Sequence, residues 1–194
     1  MRKLLVHEFV TLDGIMQAPG GPDEDRDGGF SHGGWTRPFW DDAIGAAFGQ
    51  LMQDVDAFLL GRKTYVTHAE AFEPMPAGDP FGDLMNSPAK YVVSKTLERP
   101  IWRNTTIIRD DVVASVRALK TGPGKTIVLD GSSQLVHTLI ENDLVDELFL
   151  HVYPLALGKG KRLFPGSDFS ARYKLDKATP YATGVVGLRY TRAQ

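Results

Sequence analysis

Cysteine is absent from this chain of 194 residues. Its absence excludes a disulfide framework and thiolate chemistry, and it agrees with the reducing, cytoplasmic location that we expect. No apolar run approaches the roughly 18 residues that a membrane-spanning helix needs, so we expect no membrane association. The apolar start, residues 1–6, is interrupted at His7 and Glu8 without a cleavage-like site, which favours a first strand over a signal peptide.

Strong charge of one sign and metal-ligand patterns are also missing. The formal net charge is −2, whereas a nucleic-acid surface is usually strongly basic, so we expect no nucleic-acid partner. The five histidines show no paired ligand spacing, and without cysteine no structural metal site is expected. Ser132 and Ser133 lack the glycine–serine elbow of hydrolases, which sets hydrolysis aside.

The sequence does have the composition of a folded domain and alternates between strand-like and helix-like periods. With 42% hydrophobic and 24% charged residues, the chain is expected to form one globular domain over residues 1–194. Strands are predicted over residues 2–11, 56–60, 91–94, 105–109, 127–129, 147–153, 171–177 and 184–191. Residues 66–89 are predicted to be irregular, as are residues 12–39, whose seven glycines and three prolines indicate a long functional loop or lid.

Three helices are predicted between these strands. The first begins with Asp41 or Asp42 as its N-cap, and the second begins at Asp110 or Asp111. The third carries an apolar stripe and joins two strands in a βαβ unit; the stripe is Leu135, Val136, Leu139 and Ile140. We therefore predict an α/β fold with a mostly parallel sheet and an antiparallel hairpin at its carboxyl-terminal edge.

Three predicted strands end in small, hydroxyl-bearing or basic residues. The three endings are Gly61, Arg62, Lys63 and Thr64; Ser94 and Lys95; and Asp130, Gly131, Ser132 and Ser133. Because the carboxyl ends of strands line the ligand crevice of an open α/β sheet, we expect these endings to meet at one site. Glycine and serine allow close backbone approach to a phosphate, and the helix after Ser133 directs free N–H groups towards it. The pattern predicts an anionic ligand, and a dinucleotide is the one we expect.

The order of these motifs resembles the dihydrofolate reductase family, beginning with Leu12-Asp13-Gly14 after the first strand. The run of residues 144–148, followed by 153–160 and Leu163-Phe164, looks closer still to the reductase domain of bacterial riboflavin biosynthesis proteins. The resemblance covers nearly the whole chain in order. It implies a dihydrofolate reductase-like three-layer fold and an NADPH-dependent reductase.

The resemblance also implies which residues bind NADPH. The cationic and hydroxyl groups suited to its 2′-phosphate are those of Arg62, Lys63, Thr64, Ser94 and Lys95, beside Gly61. The pyrophosphate is expected at the helix start formed by Gly131, Ser132, Ser133 and Gln134. From the residues alone, the two glycines are also typical of turns, and the basic residues are also typical of a solvated surface.

Candidate catalytic and substrate-binding residues are fewer. The family pattern has a tryptophan and a proline before a buried acid, and here Trp40 stands where that acid is expected. The acid is therefore either shifted by one residue, to Asp41, or absent. Asp13 and Asp41 are the candidate catalytic residues; turn stabilisation and helix capping are their alternative roles. The candidate substrate contacts are Phe9, His32, Trp35, Phe48 and Leu129, with Leu5 and Ile15 as further apolar walls, and His32 is also typical of an exposed loop.

The predicted reaction is hydride transfer from NADPH to a carbonyl or imine of a small heteroaromatic compound, pterin-like or ribosylaminopyrimidine-like. One alternative is a non-catalytic NADP(H)-binding module, which the shifted acid favours. Another is a partner-binding structural protein in which the aromatic residues Trp35, Phe39 and Trp40 form an interface. The resemblance also implies a homodimer.

Overall fold

The computed structural model describes residues 1–164, 166 and 170–193. Its described residues form one mixed sheet of eight strands in the order β4-β3-β2-β5-β1-β6-β8-β7. The strands are β1 (Leu4–Thr11), β2 (Val55–Gly61), β3 (Ala89–Val93), β4 (Thr105–Ile108), β5 (Thr126–Asp130), β6 (Glu147–Tyr153), β7 (Tyr173–Pro180) and β8 (Val186–Arg192). Strands β1 to β6 are parallel, and β8 pairs antiparallel with both β6 and β7. The predicted mostly parallel sheet with an antiparallel carboxyl-terminal hairpin is confirmed.

Five α-helices lie between the strands in the described part of the chain: α1 (Asp42–Met52), α2 (Arg62–Phe72), α3 (Pro80–Asn86), α4 (Val112–Thr121) and α5 (Ser133–Glu141). Asp41 caps α1 and Asp111 caps α4, each by accepting a hydrogen bond from a backbone N–H of the first turn. The predicted apolar stripe of α5 is buried along its length. This stripe packs α5 against the sheet, within the predicted βαβ unit formed by β5, α5 and β6.

The helices enclose the sheet in three layers because alternate residues of each strand point to opposite faces. Helices α4 and α5 pack on the face that carries Leu4, Val6 and Leu129. Helices α1, α2 and α3 pack on the other face, which carries Leu5 and Phe58. Both faces of the central strands are therefore buried, as their continuous apolar runs require.

Residues 66–89 differ from the prediction of an irregular segment, because they contain most of α2 and all of α3. Helix α2 ends at Phe72, just before Pro74 and Pro76, so these prolines follow the helix rather than interrupt it. Pro80 occupies the first turn of α3, where its missing N–H costs nothing, and Asp79 caps that helix. The prolines and glycines that suggested an irregular segment therefore lie mainly at the end of α2 and the start of α3.

Residues 12–39 form the long irregular segment that the sequence predicts, with two short 3₁₀ helices at Asp27–Gly29 and Arg37–Phe39. A separate cluster of buried residues holds this segment against the end of β6 and the β7–β8 turn; it includes Ile15, Phe30, Trp35, Tyr153 and Val185. The segment is thus fixed along one side of the carboxyl ends of the strands. It becomes a wall of the cavity described next.

Candidate functional site

The carboxyl ends of β1, β2, β3 and β5 open into a single cavity of about 1310 Å³. All the predicted cofactor residues line it: Gly61, Arg62, Lys63, Thr64, Ser94, Lys95, Gly131, Ser132, Ser133 and Gln134. They come from three separate stretches of chain, which parallel pairing brings to one edge of the sheet. The structure therefore brings the predicted phosphate residues together, while their binding roles stay predictions.

The turn after β2 and the turn after β5 are tied to each other by hydrogen bonds. The Gly61 N–H donates to Ser132 Oγ at 2.7 Å, and Thr64 Oγ1 donates to the Gly131 carbonyl at 3.0 Å. A Cβ atom at Gly131 would lie 2.7 Å from Thr64 Cγ2, and Gly131 also has a φ of +71°. Only glycine satisfies both requirements, so the two turns form one rigid rim.

Two helix N-termini face this rim without a side-chain cap. Helix α2 starts after Gly61, which has no side chain to offer, and α5 starts after Ser132, whose hydroxyl accepts from Gly61 instead. The first backbone N–H groups of a helix have no partner within the helix. Two sets of free N–H groups and two helix dipoles consequently favour an anion at this end of the cavity.

Three basic side chains of the phosphate end differ in their partners. The side chains of Arg62 and Lys95 have no ion pair or hydrogen bond with any other described residue, so they are available to a ligand. Lys63 instead pairs with Asp27 and lies 3.8 Å from Asp25, both on the long segment. The cavity thus carries two uncompensated positive charges at the rim.

A second lysine completes the cluster formed by Lys63. Lys161 Nζ donates to Asp27 Oδ2 at 2.8 Å and to Asp25. Hydrogen bonds from Lys161 and Lys63, in that order of size, lower the pKa of Asp27 to about 2. We call Asp25, Asp27, Lys63 and Lys161 the strap, because they join the long segment to α2 and to the chain that follows β6.

The floor of the cavity holds a carboxylate between two histidines. Asp130 Oδ2 lies 3.2 Å from His68 Nε2, and its Oδ1 lies 3.7 Å from His7 Nδ1. Burial alone would raise the pKa of the Asp130 carboxyl, but the neighbouring His68 and His7 rings outweigh it and lower this pKa below its usual range. Asp130 is therefore an anion that holds His68 and faces His7.

His7 is buried and lines the cavity, yet neither of its ring nitrogens has a hydrogen-bond partner among the described residues. Its ring is surrounded by Phe9, Phe48, Phe149 and His151, with centroids 5.3 to 5.5 Å away. A buried polar group without a partner costs about 1–3 kcal/mol. Because it lines the cavity, this imidazole is placed to exchange a hydrogen bond with a molecule bound there.

Glu8 also lines the cavity, and its carboxyl is buried. It lies on the face of β1 opposite to that of His7. Its Oε1 accepts a hydrogen bond of 2.9 Å from the Gly131 N–H, at the rim. Burial first, and then the charge of Asp130, raise the pKa of Glu8 well above its ordinary value, against a smaller opposing effect of the Gly131 hydrogen bond. Glu8 therefore keeps its proton where an exposed glutamate would have lost it.

Apolar and aromatic side chains from the three helices of one face form the remaining wall. Phe48 of α1 and Phe81 of α3 lie with ring centroids 6.4 Å apart, and Phe72 of α2 lies 5.6 Å from Phe81. Trp40 is exposed and lies at the edge of the same cavity. A flat ring compound fits such a wall, since aromatic pairs favour these centroid separations.

The two predicted catalytic acids lie outside the cavity. The Asp13 carboxylate accepts from Thr11 Oγ1 at 2.5 Å and from the Gly158 N–H at 2.7 Å, and the hydrogen bond from Thr11 is the largest effect that lowers its pKa. Asp41 accepts from the N–H groups of Ala43, at 2.8 Å, and Ala182, at 3.2 Å. Both carboxylates are occupied by backbone and hydroxyl donors, as their alternative roles in a turn and a helix cap require.

The predicted substrate contacts divide into two groups. Phe9 and Phe48 line the cavity. Leu129 and the further candidate Leu5 are buried in the sheet core, on opposite faces, and Ile15 is buried in the separate cluster that holds the long segment. Trp35 is a buried residue of the long segment itself, and its Nε1 donates to the Gln17 carbonyl at 2.8 Å. His32, in the same segment, is exposed, contacts the Phe30 ring and lies outside the cavity.

The polar floor was missed by the sequence reading. Its signal was present in β1, where His7 and Glu8 interrupt a strand that is otherwise apolar and central. Asp130 was noted as the end of its strand but was given no role, and His68 lies on α2, which was not predicted. Polar side chains within a buried strand need hydrogen-bond partners or a functional role. The interruption of β1 by His7 and Glu8 was therefore the sequence signal for the polar floor.

Within the described residues, no group of histidine and carboxylate side chains is placed to hold a metal ion. The same residues include no helix with the length and apolar composition needed to cross a bilayer.

Comparisons with known proteins place these features in context. The family model of the RibD C-terminal domain matches residues 2–187. The uncharacterized protein YyaP of Bacillus subtilis strain 168 is 29% identical over 192 residues, which cover 97% of this chain and 94% of YyaP. A putative riboflavin biosynthesis protein from Shewanella sp. PV-4 has a TM-score of 0.71 at 18% identity, with 99% of both chains covered. Dihydrofolate reductase from Enterococcus faecalis, solved in complex with NADP(H), has a TM-score of 0.64 at 14% identity, covering 99% of this chain and 97% of that enzyme. The dihydrofolate reductase-like fold predicted from the sequence is confirmed.

Proposed function

Because the chain belongs to the RibD C-terminal domain family, we propose that it is an NADPH-dependent reductase. The proposed acceptor is a carbonyl or imine of a small heteroaromatic compound, pterin-like or ribosylaminopyrimidine-like. One observation carries this proposal: a single cavity joins a rim with two uncompensated cations to a floor with an unsatisfied imidazole. An anionic cofactor and a polar ring compound would meet these two ends.

The residues present fit NADPH. The 2′-phosphate carries close to two negative charges, and Arg62 and Lys95 offer charge-assisted donors that no other described residue occupies. The free N–H groups at the starts of α2 and α5 suit the pyrophosphate. The volume of about 1310 Å³ exceeds the roughly 300–1,000 Å³ of common small-ligand sites, which leaves room for a dinucleotide beside a second small molecule.

When bound, NADPH would supply the hydride. The protein would position the two reactants, exclude water from the cavity and supply a proton. The aromatic wall of Phe48, Phe72 and Phe81 would hold the acceptor ring and exclude water. His7 is the proposed proton donor, since it is the cavity-lining imidazole whose nitrogens have no hydrogen-bond partner among the described residues. Asp130, an anion at 3.7 Å, would orient the His7 ring during turnover.

The cofactor claim is tested by exchanging the rim cations. We expect Arg62→Ala and Lys95→Ala each to weaken NADPH binding by about ten- to a hundredfold while changing NADH binding little, because each removes a charge-assisted hydrogen bond to the 2′-phosphate of about 1.5–3 kcal/mol. Isothermal titration calorimetry with both cofactors measures the difference. Arg99→Ala is the matched control, since Arg99 is exposed and lies, like Lys95, on the connection between β3 and β4, but outside the cavity.

Equal losses for NADH and NADPH would contradict the assignment of the 2′-phosphate to these residues. Absence of NADPH binding in the unaltered protein would overturn the proposed function. Turnover is tested separately, by following NADPH oxidation across a panel of pterin and ribosylaminopyrimidine compounds. Tight NADPH binding without oxidation in that panel would instead select a non-catalytic binding module, for which the occupied carboxylates of Asp13 and Asp41 are the supporting observation.

A further inference from the structure

Glu8 lies directly beneath the turn assigned to the pyrophosphate. Strand β1 is central, with β5 on one side and β6 on the other, and the Cα partner of His7 in β5 is Asp130. Since adjacent residues of a strand face opposite sides, His7 points to the face of α1, α2 and α3, and Glu8 points to the face of α4 and α5. The His7 ring and the hydrogen bond of Glu8 thus lie on opposite faces of the sheet, although the charge of Asp130, on the His7 side, still raises the pKa of Glu8.

The hydrogen bond of the Glu8 side chain leads to the rim. Its Oε1 accepts the Gly131 N–H at 2.9 Å, and the carbonyl of the same glycine accepts from Thr64 Oγ1 at 3.0 Å. The next residue, Ser132, accepts the Gly61 N–H. One buried carboxyl therefore anchors the turn that starts α5 and, through it, the turn that starts α2.

We propose that Glu8 is a positioning residue for the dinucleotide, whose carboxyl anchors the Gly131 turn and whose loss of a proton opposes the anionic pyrophosphate. This inference rests on the proposed function. A glutamine in this position would provide the same anchor, but glutamic acid adds a dependence on pH.

The electrostatics of the cavity support the proton-bearing form. Burial and the Asp130 charge hold the pKa of Glu8 well above its ordinary value. The other charged or titratable groups lining the same cavity are His7, Glu24, Asp25, Asp27, Arg62, Lys63, His68, Lys95 and Lys161. Of these, Asp25, Asp27, Lys63 and Lys161 pair with one another, and Glu24 accepts from the N–H groups of Gly20 and Gly21. Bound pyrophosphate adds negative charge near Glu8, so binding favours its protonated form, and affinity falls as pH rises through the pKa of the free protein.

The experiment measures the dissociation constant of NADPH by calorimetry from pH 6 to pH 10. The unaltered protein is expected to lose about tenfold or more in affinity across the ionisation of Glu8, beyond any loss shared with the variants. Glu8→Gln is expected to match the unaltered protein at the acid end and to lack this decline, since its amide oxygen still accepts the Gly131 N–H. Glu8→Leu removes the anchor and is expected to bind more weakly at every pH.

Glu24→Gln is the control, because it neutralises another carboxyl of the same cavity that lies away from the Gly131 turn, and it should retain the decline. A decline of equal size in the unaltered protein and in Glu8→Gln would overturn the inference and leave the proposed function standing. If Glu8→Leu bound as tightly as Glu8→Gln, the anchoring role would be wrong. Failure of the unaltered protein to bind NADPH at any pH would overturn both.

Discussion

At the scale of single residues, the neighbours His7 and Glu8 carry different tasks because a strand turns them to opposite faces of the sheet. His7 faces the aromatic wall and Asp130, whereas Glu8 faces the rim through the Gly131 N–H. Neither task is visible in the linear order His7-Glu8. It depends on β5 lying beside β1, which brings Asp130 opposite His7 and Gly131 within reach of Glu8.

The role of His7 is tested by a comparison between two buried histidines. We expect His7→Phe to lower kcat by about 10²- to 10⁴-fold, the usual contribution of general acid catalysis, with little change in NADPH affinity. His151→Phe is the matched control, because its ring lies 5.4 Å from that of His7 but outside the cavity, and burial first, then the His7 charge, lower its pKa to about 3. Steady-state kinetics with a substrate from the panel provide the measurement.

Two results would contradict this role. If His7→Phe kept the kcat of the unaltered protein, the proton would come from water or from another group. If His151→Phe lost as much activity as His7→Phe, the loss would reflect disturbance of the shared aromatic cluster rather than proton transfer. Thermal unfolding of both variants separates that disturbance from chemistry, since each replaces an imidazole with an aromatic ring of larger volume.

At the scale of elements, the sequence predicted those units whose pattern was local. The strand, turn and helix of β5 and α5 follow from an apolar run, a glycine–serine turn and a stripe at helical spacing. The caps Asp41 and Asp111 followed from polar residues before apolar periods. Helices α2 and α3 were missed because prolines at their boundaries resembled a continuous irregular segment, and His68 of the floor was missed with them.

The start of α1 allows a test of the two roles considered for Asp41. We expect Asp41→Ala to lower the free energy of unfolding by about 1 kcal/mol, because the Ala43 N–H loses its acceptor. Asp41→Asn should retain both stability and kcat, since asparagine is an equally good N-cap but donates no carboxyl proton. Urea denaturation and steady-state kinetics on both variants are the measurements, with Asp42→Ala as the neighbouring control. A large loss of kcat in Asp41→Asn at unchanged stability would restore Asp41 as the proton donor.

At the scale of the whole molecule, the strap determines how the long segment closes the cavity. Asp25 and Asp27 belong to residues 12–39, Lys63 lies in the first turn of α2, and Lys161 follows β6, so four charges join three distant parts of the chain. Gln17 strengthens the same junction, since its Nε2 donates to the carbonyls of Asp25 and Asp27 and its Oε1 accepts the Lys161 N–H. Sequence spacing gives no sign of such a junction, because its members are up to 144 residues apart.

We expect the ion pairs of the strap to be lost in acid, because Asp27 becomes protonated. Its pKa is lowered to about 2 by Lys161 and Lys63, below the ordinary value of 3.8, so its contribution to stability is complete above pH 4 and is lost as pH falls through about 2. We expect Asp27→Asn to be less stable than the unaltered protein at neutral pH, with the difference shrinking as pH falls below 4 and vanishing only below the folded-state pKa of about 2. Urea denaturation at a series of pH values measures this convergence, and hydrogen exchange at neutral pH should show faster exchange confined to residues 12–39.

Asp23→Asn is the matched control for this test, because within the described part of the chain Asp23 pairs with Arg26 of the same segment and with no residue outside it. Its stability should follow that of the unaltered protein at every pH, and exchange in residues 12–39 should not change. A constant difference between Asp27→Asn and the unaltered protein from pH 7 to pH 2 would show that the strap acts without its charge. Added salt offers an independent check, since screening weakens exposed ion pairs and should bring the exchange of the unaltered protein towards that of Asp27→Asn.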